Sequence, residues 1–573
     1  MNPIRHPRHG GAAGAIVTIL LVLGLVALGA WVVMKGDAAP TDGGTAPSTA
    51  AGAGGGTTES GEAPDATALV EVKAGIPQLA PALAYEPKGD VIEVDISEYA
   101  GYAGLIVANG GMAPNPESFF AKEYGFQVKL SLSETENWSE LNNGRFAAAA
   151  TTADVLAVLG RQFQAVVPAQ IAFSRGADGV VVQSAIRNVN ELKGKVLACA
   201  QHNESEFFIR YLAQEAGLKV VMLDALGIAP KPDEVGLVFC ADAFAAGDLF
   251  ASELERPQPR LAGCVTWAPK TDEVVEASGG RARILTTNKN LLIIADVLVV
   301  NKGFAAAQPK KVQGLVHGLL HGNRLVRTDP KPWLKLIATS LSVPGGEAWS
   351  EADAADELTR VHLSNLPENL AFFSGTIDSA GSFGGIYQSS VLAYGPGIIT
   401  DPIDAERFID YTALKALDAA GHFKGEKLAI APIKSSTASA IEGSQLLSKD
   451  IRFLFQPNSA VLDMSDARNL EWLKSIRSFL QVSPGSMVLL RGHVDDTQRG
   501  DFQAQGGDQL VRSMALKAME LSKQRAAAVR AQLVNELKVD PARLEMVGRG
   551  WEEPLGGQPE LNRRVEVQWF TLE

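Results

Sequence analysis

The spacing of apolar and polar residues divides the chain into stretches of different structural type. A continuous apolar run covers residues 15–34, about the length that a helix needs to cross a bilayer. From about residue 88, short apolar or alternating runs such as GDVIEVDIS, QVKLSLS and KVLACA predict strands. Stretches with helical spacing, such as ESEFFIRYLAQEAGL, lie between them. Strands that alternate with helices indicate an α/β fold with largely parallel sheets, which bind ligands beyond the carboxyl ends of their strands.

The last part of the chain has a pattern of its own. A linker-like stretch at 423–447 precedes it, so we predict a separate, smaller α+β domain over 448–573. Its predicted elements are a strand over IRFLF, a helix from Asp466 to about Leu480, a strand that ends at Gly492, a helix from about Leu510 to Leu537, and a final strand over RRVEVQWF.

Charges around the N-terminal apolar run predict its orientation. Arg5 and Arg8 precede the run, which places residues 1–14 in the cytoplasm and makes 15–34 a transmembrane helix. A cleaved signal peptide is the alternative, which would leave the protein free in the periplasm and held only by the wall. The run is longer than a usual signal-peptide core, and no clear A-x-A site follows it. We therefore expect an inner-membrane anchor that carries the bulk of the chain in the periplasm.

Composition indicates where the linker before the large domain lies, and net charge indicates which partners are unfavourable. Residues 35–87 are rich in Gly, Ala, Thr, Ser and Pro, and we predict a flexible linker there, followed by a large domain over 88–422. The net charge of -13 over 573 residues argues against binding to nucleic acid.

Three cysteines, Cys199, Cys240 and Cys264, could be imagined as a metal site together with His202. They show no C-x-x-C spacing and lie in apolar strands. We therefore expect buried thiols, with no metal and no cofactor.

The C-terminal domain carries an ordered set of motifs. FLFQPNSAVLD, RGHVDD, LSKQRAAAVRAQL, RLEMVGRGWEEPLG and NRRVEVQWF follow one another between residues 453 and 570. In this order they resemble the OmpA-like peptidoglycan-binding domain. The resemblance implies that Asp495 and Arg525 bind the diaminopimelate of the peptidoglycan stem peptide. The carboxylate of Asp495 would bind the ammonium group of diaminopimelate, and the guanidinium of Arg525 would bind its carboxylate.

Other interpretations of these residues stay open. Arg563 and Arg564 are weaker candidates, one as a support for the site and one as a structural ion pair. Asp495 could instead cap the next segment, and Arg525 could lie on a solvated helix face. The chain also departs from the family, with Val494 in place of a Thr, Ala518 in place of an Asn, and an insertion at 498–520. These departures put the affinity for peptidoglycan in doubt.

The large domain resembles the nitrate/taurine-type substrate-binding proteins of ABC transporters. The matching pieces include EYAGYAGLIVANGG, NNGRFAAAATTADVLA, SRGADGVVVQS, VNELKGKVLACAQHNESEFFIRYLAQEAGL, GCVTWAP and IADVLVVNKGFAAAQPKKVQGLV. The resemblance implies a two-lobed, periplasmic-binding-protein-like domain that closes on a small solute. We expect lobe one over 88–175 and 286–345, with lobe two between them.

Polar residues near predicted strand ends are the candidates for solute contact. For each of them a structural role, as a cap, a turn residue or a satisfied buried group, is an equal alternative. The candidates are Tyr102, Thr151, Thr152, Asp178, His202, Asn203, Ser205, Trp267 and Asp296. Helix N termini suit an anionic solute. Glu204 and Glu206 beside His202 argue against a simple anion pocket there, because they would cap the helix themselves.

Three functions follow from these patterns. The first is a membrane-anchored periplasmic solute-binding protein that also binds peptidoglycan and delivers solute to an ABC permease or reports it to an envelope partner. The second is a structural tether between inner membrane and cell wall with an idle cleft, which would be filled by apolar side chains. The third is an enzyme, since some relatives of the binding fold act in pyrimidine biosynthesis. The sequence has no recognisable catalytic set, so we expect no enzymatic activity.

Overall fold

The computed structural model describes residues 68–73, 75–133, 137–343, 348–374, 381–430, 446–449, 451–453, 455, 459–483, 486–555 and 562–571. The predicted cytoplasmic segment, the transmembrane helix at 15–34 and most of both linkers lie outside these residues. Within the described part of the chain, no helix is both long and apolar enough to cross a membrane.

The described residues form three sheets. Their strands, in chain order, are β1 Val91–Ser97, β2 Gln127–Ser133, β3 Ala148–Thr152, β4 Ala165–Ser174, β5 Asp178–Gln183, β6 Lys195–Ala200, β7 Lys219–Met222, β8 Glu234–Cys240, β9 Gly263–Trp267, β10 Ala282–Thr287, β11 Ala295–Asn301, β12 Val361–Leu363, β13 Leu447–Lys449, β14 Ser486–Gly492, β15 Leu544–Gly548 and β16 Val565–Thr571.

Helices surround these sheets. In chain order they are α1 Ala103–Asn109, α2 Phe119–Tyr124, α3 Trp138–Asn142, α4 Val155–Leu159, α5 Glu204–Glu215, α6 Ala243–Leu254, α7 Lys270–Ala277, α8 Lys302–Ala307, α9 Pro309–Thr328, α10 Leu334–Leu341, α11 Glu351–Leu358, α12 Leu366–Ser374, α13 Phe383–Tyr394, α14 Thr412–Ala419, α15 Ala467–Val482 and α16 Arg499–Asn535.

The strand order creates two lobes. Sheet one, in the order β12-β4-β11-β3-β1-β2, forms lobe one, and sheet two, in the order β10-β5-β9-β6-β8-β7, forms lobe two. The chain leaves sheet one after β4, builds all of sheet two, and returns at β11. It therefore crosses between the lobes twice, at Ser174–Asp178 and at Thr287–Ala295, and both crossings lie near the cavity described below.

The sheets are mixed, whereas the sequence predicts largely parallel ones. β1 is parallel to β2 and β3, but β11 is antiparallel to both β3 and β4. In sheet two, β5 is likewise antiparallel to β9 and β10. The antiparallel strands are those next to the crossings between lobes, where the chain turns back without the helical connection that a parallel pair requires.

Lobe one depends on a close approach between two helices. A Cβ atom added at Gly322 in α9 would lie 1.8 Å from the carbonyl oxygen of Gly104 in α1. Only glycine allows the two backbones to lie this close. Nearby, Asn323 is fully buried, and its Nδ2 donates hydrogen bonds to the carbonyl oxygens of Ile171 and Ser364. These contacts join α1, α9 and β4 into one core.

Residues 68–87 differ from the predicted flexible linker. Tyr85 is 6 % exposed, and its ring makes an edge contact with Phe304, with ring centroids 5.4 Å apart. The backbone N–H of Val70 donates to the carbonyl oxygen of Phe239 in lobe two. The low apolar content of this stretch predicts a linker, but Val70 and Tyr85 contact the folded core and hold this part of the chain against it.

Sheet three, in the order β13-β16-β14-β15, belongs to the C-terminal domain. The strand predicted over 451–455 is wrong, because the structure assigns β13 to Leu447–Lys449 and leaves only a bridge at Phe455. Sheet three also contacts lobe two. The backbone N–H of Ser448 donates to Asn190 Oδ1 at 2.7 Å, and Tyr211 in α5 stacks on Phe479 in α15 with ring centroids 6.3 Å apart.

Candidate functional site

A cavity of about 480 Å³ takes its lining from both lobes. This volume lies within the range of small-molecule pockets. The described residues that contribute polar or aromatic side chains to it are Ser97, Glu98, Tyr99, Tyr102, Ser133, Trp138, Thr152, Ser174, Asp178, Gln201, Asn203, Glu204, Asp242, Phe244, Trp267 and Asp296. Most of the described residues that line the cavity are therefore polar or aromatic.

Six of the nine predicted solute residues line this cavity: Tyr102, Thr152, Asp178, Asn203, Trp267 and Asp296. They lie at the cavity because they stand at the ends of strands, where α/β sheets bind ligands. Thr152 and Trp267 end β3 and β9, and Asp178 begins β5 at a crossing between the lobes.

Three predicted residues do not line the cavity. Thr151 is fully buried and accepts a hydrogen bond from Trp138 Nε1 at 3.1 Å. His202 is 2 % exposed, and its backbone N–H donates to Glu206 Oε2 at 2.6 Å. Ser205 is buried, and its backbone N–H donates to Asn203 Oδ1. These three residues therefore serve the fold: they are buried behind the cavity wall or at the start of α5, which are the roles that the sequence left open as the alternative to solute contact.

Sequence reasoning missed ten of the sixteen polar or aromatic lining residues, among them Glu98, Tyr99, Asp242 and Phe244. A signal for these four existed, because Glu98 and Tyr99 follow β1 directly and Asp242 and Phe244 follow β8. The same strand-end rule, applied to every strand, finds all four.

Two buried aspartates line the cavity, Asp178 from lobe two and Asp296 from lobe one. Asp178 is 3 % exposed and accepts hydrogen bonds at Oδ2 from Ser174 Oγ (2.5 Å) and Asn288 Nδ2 (3.0 Å). Asp296, also 3 % exposed, accepts a hydrogen bond from the Tyr102 hydroxyl at 3.2 Å. Burial raises the pKa of Asp178. Burial and the charges of Asp296 and Asp178 raise the pKa of Tyr99 well above its usual range.

The helix N termini at the cleft are occupied by the chain itself. Asn203 Oδ1 accepts hydrogen bonds from the backbone N–H groups of Ser205 and Glu206 at the start of α5. Asp242 Oδ1 accepts one from Ala245 at the start of α6, at 2.7 Å. These caps use three of the backbone N–H groups at the starts of α5 and α6, so fewer of them are left to bind an anion there.

The second site lies at one end of sheet three. Arg563 Nε donates to Asp495 Oδ2 at 2.6 Å, and the hydroxyl of Thr497 donates to Asp495 Oδ1. Arg525 is 7 % exposed, its guanidinium carbon lies 5.3 Å from the ring centroid of Phe455, and its Nε donates to the Ser459 carbonyl oxygen at 3.3 Å. Burial lowers the pKa of Arg525, and the charge of Arg563 lowers it further while that of Asp495 raises it. Asp495, Arg525 and Arg563 therefore form one cluster.

Tight backbone contacts set the geometry of this cluster. A Cβ atom added at Gly492, the last residue of β14, would lie 1.9 Å from the carbonyl oxygen of Ser522 in α16. The Ser522 hydroxyl accepts a hydrogen bond from the backbone N–H of Gly550 at 2.9 Å. Asp495 comes three residues after Gly492, and Arg525 comes three residues after Ser522. The close approach of strand and helix therefore brings the loop that carries Asp495 next to the turn of α16 that carries Arg525.

Arg564 lies in a different cluster. It is 2 % exposed, and its Nη2 lies 3.6 Å from Glu566 Oε2. Arg491 Nη1 and His493 Nε2 each lie 3.4 Å from the same carboxylate oxygen. Burial alone would raise the pKa of Glu566, but the contact with His493 and the charge of Arg491 lower it to about 2. Glu566 therefore holds a buried ion-pair network within sheet three.

The insertion at 498–520 is helical. It forms the first part of α16, and the helix is interrupted at Gly507, whose φ is 59° and ψ is -158°. Phe502 stacks on Trp551, with ring centroids 6.2 Å apart. The inserted residues therefore extend the helix that carries Arg525.

Comparison with known families concerns the C-terminal part of the chain. Residues 454–567 match the OmpA family. This part is an OmpA family domain. The chain is also 28% identical over 171 residues to outer membrane protein Omp38 of two Acinetobacter baumannii strains, a match that covers 28% of this chain and 43% of Omp38. The chain thus spans less than half the length of the curated relatives that it matches.

Several solved structures are similar to the chain. The periplasmic aliphatic sulphonate binding protein SsuA from Escherichia coli is 14% identical, with 62% of this chain and 99% of that one covered and a TM-score of 0.42. The alkanesulfonate-binding protein SsuA from Xanthomonas axonopodis pv. citri, bound to MOPS, is 15% identical, with 57% and 99% covered and a TM-score of 0.42. The two-lobed architecture of this chain rests on the strand order of its own two sheets.

Among the described residues, no group of three or more His, Cys, Asp or Glu side chains is arranged to hold a metal ion. Cys199, Cys240 and Cys264 are free and buried, as predicted for thiols in apolar strands. Burial raises the pKa of Cys240 to about 12, so its sulfur stays a thiol at neutral pH.

Proposed function

We propose that the protein is a solute-binding protein of the cell envelope that holds peptidoglycan with its C-terminal domain. The observation that carries this proposal is the cluster of Asp495, Arg525 and Arg563 in an OmpA family domain. The proposed order is a transmembrane helix at 15–34, a tether, the two-lobed domain, and the wall-binding domain. We propose no catalytic role.

The chemistry of the cluster suits the stem peptide. The free end of a diaminopimelate side chain carries an ammonium and a carboxylate on one carbon. Asp495 would accept hydrogen bonds from the ammonium, while the guanidinium of Arg525 would bind the carboxylate. Arg563 already pairs with Asp495 and would hold the side chain of Asp495 in place before the ligand binds.

The open cleft supports solute binding over the purely structural alternative. A tether with an idle fold predicts a cleft filled by apolar side chains, whereas the described residues enclose about 480 Å³ with polar and aromatic walls. Delivery of the solute to an ABC permease is the proposed use of this binding.

Substitution of Asp495 or Arg525 by alanine should weaken peptidoglycan binding by about tenfold or more, since a hydrogen bond to a charged group contributes roughly 1.5–3 kcal/mol. The measurement is co-sedimentation of the full chain, in detergent, with purified diaminopimelate-type peptidoglycan. The matched control is Arg468→Ala, because Arg468 lies in the same domain, is 68 % exposed and pairs only with its neighbour Asp466 among the described contacts.

Two results would contradict the wall-binding proposal. One is a wild-type protein that stays in solution with peptidoglycan in excess, which would reassign the domain to contact with another protein. The other is a fall in sedimentation that Arg468→Ala reproduces, which would mean that binding depends on net charge and not on the cluster.

A further inference from the structure

We propose that the cleft takes a small organic cation, a molecule that carries an ammonium group, between Asp178, Asp296 and the aromatic walls. This inference rests on the proposed solute-binding function and names the chemical class of the solute.

The charges of the cavity lining are of one sign. Five carboxylates line it: Glu98, Asp178, Glu204, Asp242 and Asp296. The described lining residues include no Lys, Arg or His. Because charges interact more strongly in a partly dry cavity than in water, this lining attracts a cation and opposes an anion.

Asp178 offers an oxygen to the cavity. Its two side-chain hydrogen bonds, from Ser174 and Asn288, both end on Oδ2. The residue is 3 % exposed and still lines the cavity, so its carboxylate lies at the cavity wall within reach of a ligand. A bound ammonium group would donate a charge-assisted hydrogen bond to it.

Aromatic rings form the rest of the walls. Tyr99 and Tyr102 make an edge contact with ring centroids 5.5 Å apart on the lobe-one side. Phe244 and Trp267 lie together on the lobe-two side, also with centroids 5.5 Å apart. Trp138 adds a fifth ring. Ring faces attract organic cations, and aromatic walls with carboxylates are the usual surroundings of a substituted ammonium.

The remaining ion chemistries fit less well. A bare metal ion needs several ligands that converge on one point, and the described residues provide no such group. An anion would need free helix N–H groups or a basic side chain. The N termini of α5 and α6 are capped by Asn203 and Asp242.

The test compares probes that differ only in charge. Titration calorimetry of the full chain in detergent would use choline, its neutral isostere 3,3-dimethyl-1-butanol, cadaverine as a primary diamine, and ethanesulfonate as the anion. We expect at least one of the two cations to bind saturably. If choline is the cation that binds, the isostere should bind at least about tenfold more weakly, because a single charged contact accounts for that factor.

Variants assign the binding to the cleft. Asp178→Asn and Asp296→Asn should each weaken cation binding by about tenfold or more. Asp401→Asn should change nothing, because Asp401 is 76 % exposed and pairs with Arg161 away from the cavity lining. The comparison of choline with its isostere on the wild-type protein needs no variant, so a variant that fails to fold does not remove the test.

The outcomes separate the two proposals. Binding of ethanesulfonate without either cation overturns the charge assignment and leaves solute binding intact. Equal binding of choline and its isostere also overturns it. Binding of none of the four probes overturns the cation proposal together with the proposed solute function. Cation binding that survives both Asp178→Asn and Asp296→Asn places the site elsewhere and contradicts this inference.

Discussion

Replacement of Gly492 by alanine is expected to abolish binding of the protein to peptidoglycan. The new Cβ would lie 1.9 Å from the backbone carbonyl oxygen of Ser522, and a backbone atom cannot move aside as a flexible side chain can. Strand β14 and helix α16 must separate, which moves Asp495 away from Arg525. Overpacking of this kind costs about 3 kcal/mol or more when the backbone has to shift.

The measurement for Gly492→Ala is co-sedimentation with peptidoglycan, together with the melting temperature of the C-terminal domain. The matched control is Gly500→Ala. Gly500 lies in the same domain, and a Cβ there would meet nothing within 4 Å. We expect the control to bind normally. Normal wall binding by Gly492→Ala would contradict the claim that the close contact of strand and helix sets the site.

Substitution of Glu566 by glutamine is expected to destabilise the C-terminal domain by about 3 kcal/mol at pH 7, the free energy that corresponds to a pKa shift from 4.5 to about 2. A carboxyl group whose pKa is lower in the folded protein stabilises the fold above its unfolded pKa. This stabilisation is lost as the pH falls from about 4.5 toward 2. The variant and the wild type should therefore differ strongly at pH 7 and little near pH 2.

Differential scanning calorimetry of the full chain at the two pH values measures this difference in the transition of the C-terminal domain. Glu552→Gln is the control, because Glu552 is an exposed carboxylate of the same domain. A Glu566→Gln variant that is equally destabilised at pH 7 and near pH 2 would show that shape, and not the charge network of Arg491 and His493, accounts for the effect.

The proposed peptidoglycan site was accessible from sequence because its parts lie in short continuous motifs. Asp495 and Arg525 each lie three residues from a tightly packed position, Gly492 or Ser522, and the motifs around them identify the frame. The separate placement of Arg563 and Arg564 was not accessible, because both precede the first residue of β16 and the pattern alone did not show which of them contacts Asp495.

The cleft was accessible only in part. The sequence predicted both Asp178 and Asp296 as candidates for solute contact, but it did not show that the charged residues of the whole lining are all carboxylates. These carboxylates come from five separate loops or element ends. His202 was misplaced for a local reason: its φ of 64° turns it into the left-handed region, where its backbone bonds to Glu206 and its ring is buried. Sequence spacing does not report such a turn.

The most direct test of the account asks whether one chain holds wall and solute at once. The cation that binds in the calorimetric comparison, choline or cadaverine, is radiolabelled and mixed with the full-length protein in detergent and with diaminopimelate-type peptidoglycan, and the pellet is counted. We expect the pellet to contain both protein and label for the wild type. It should contain protein without label for Asp178→Asn, and neither protein nor label for Asp495→Ala. Wild-type protein that pellets with peptidoglycan but carries no more label than Asp178→Asn would contradict it.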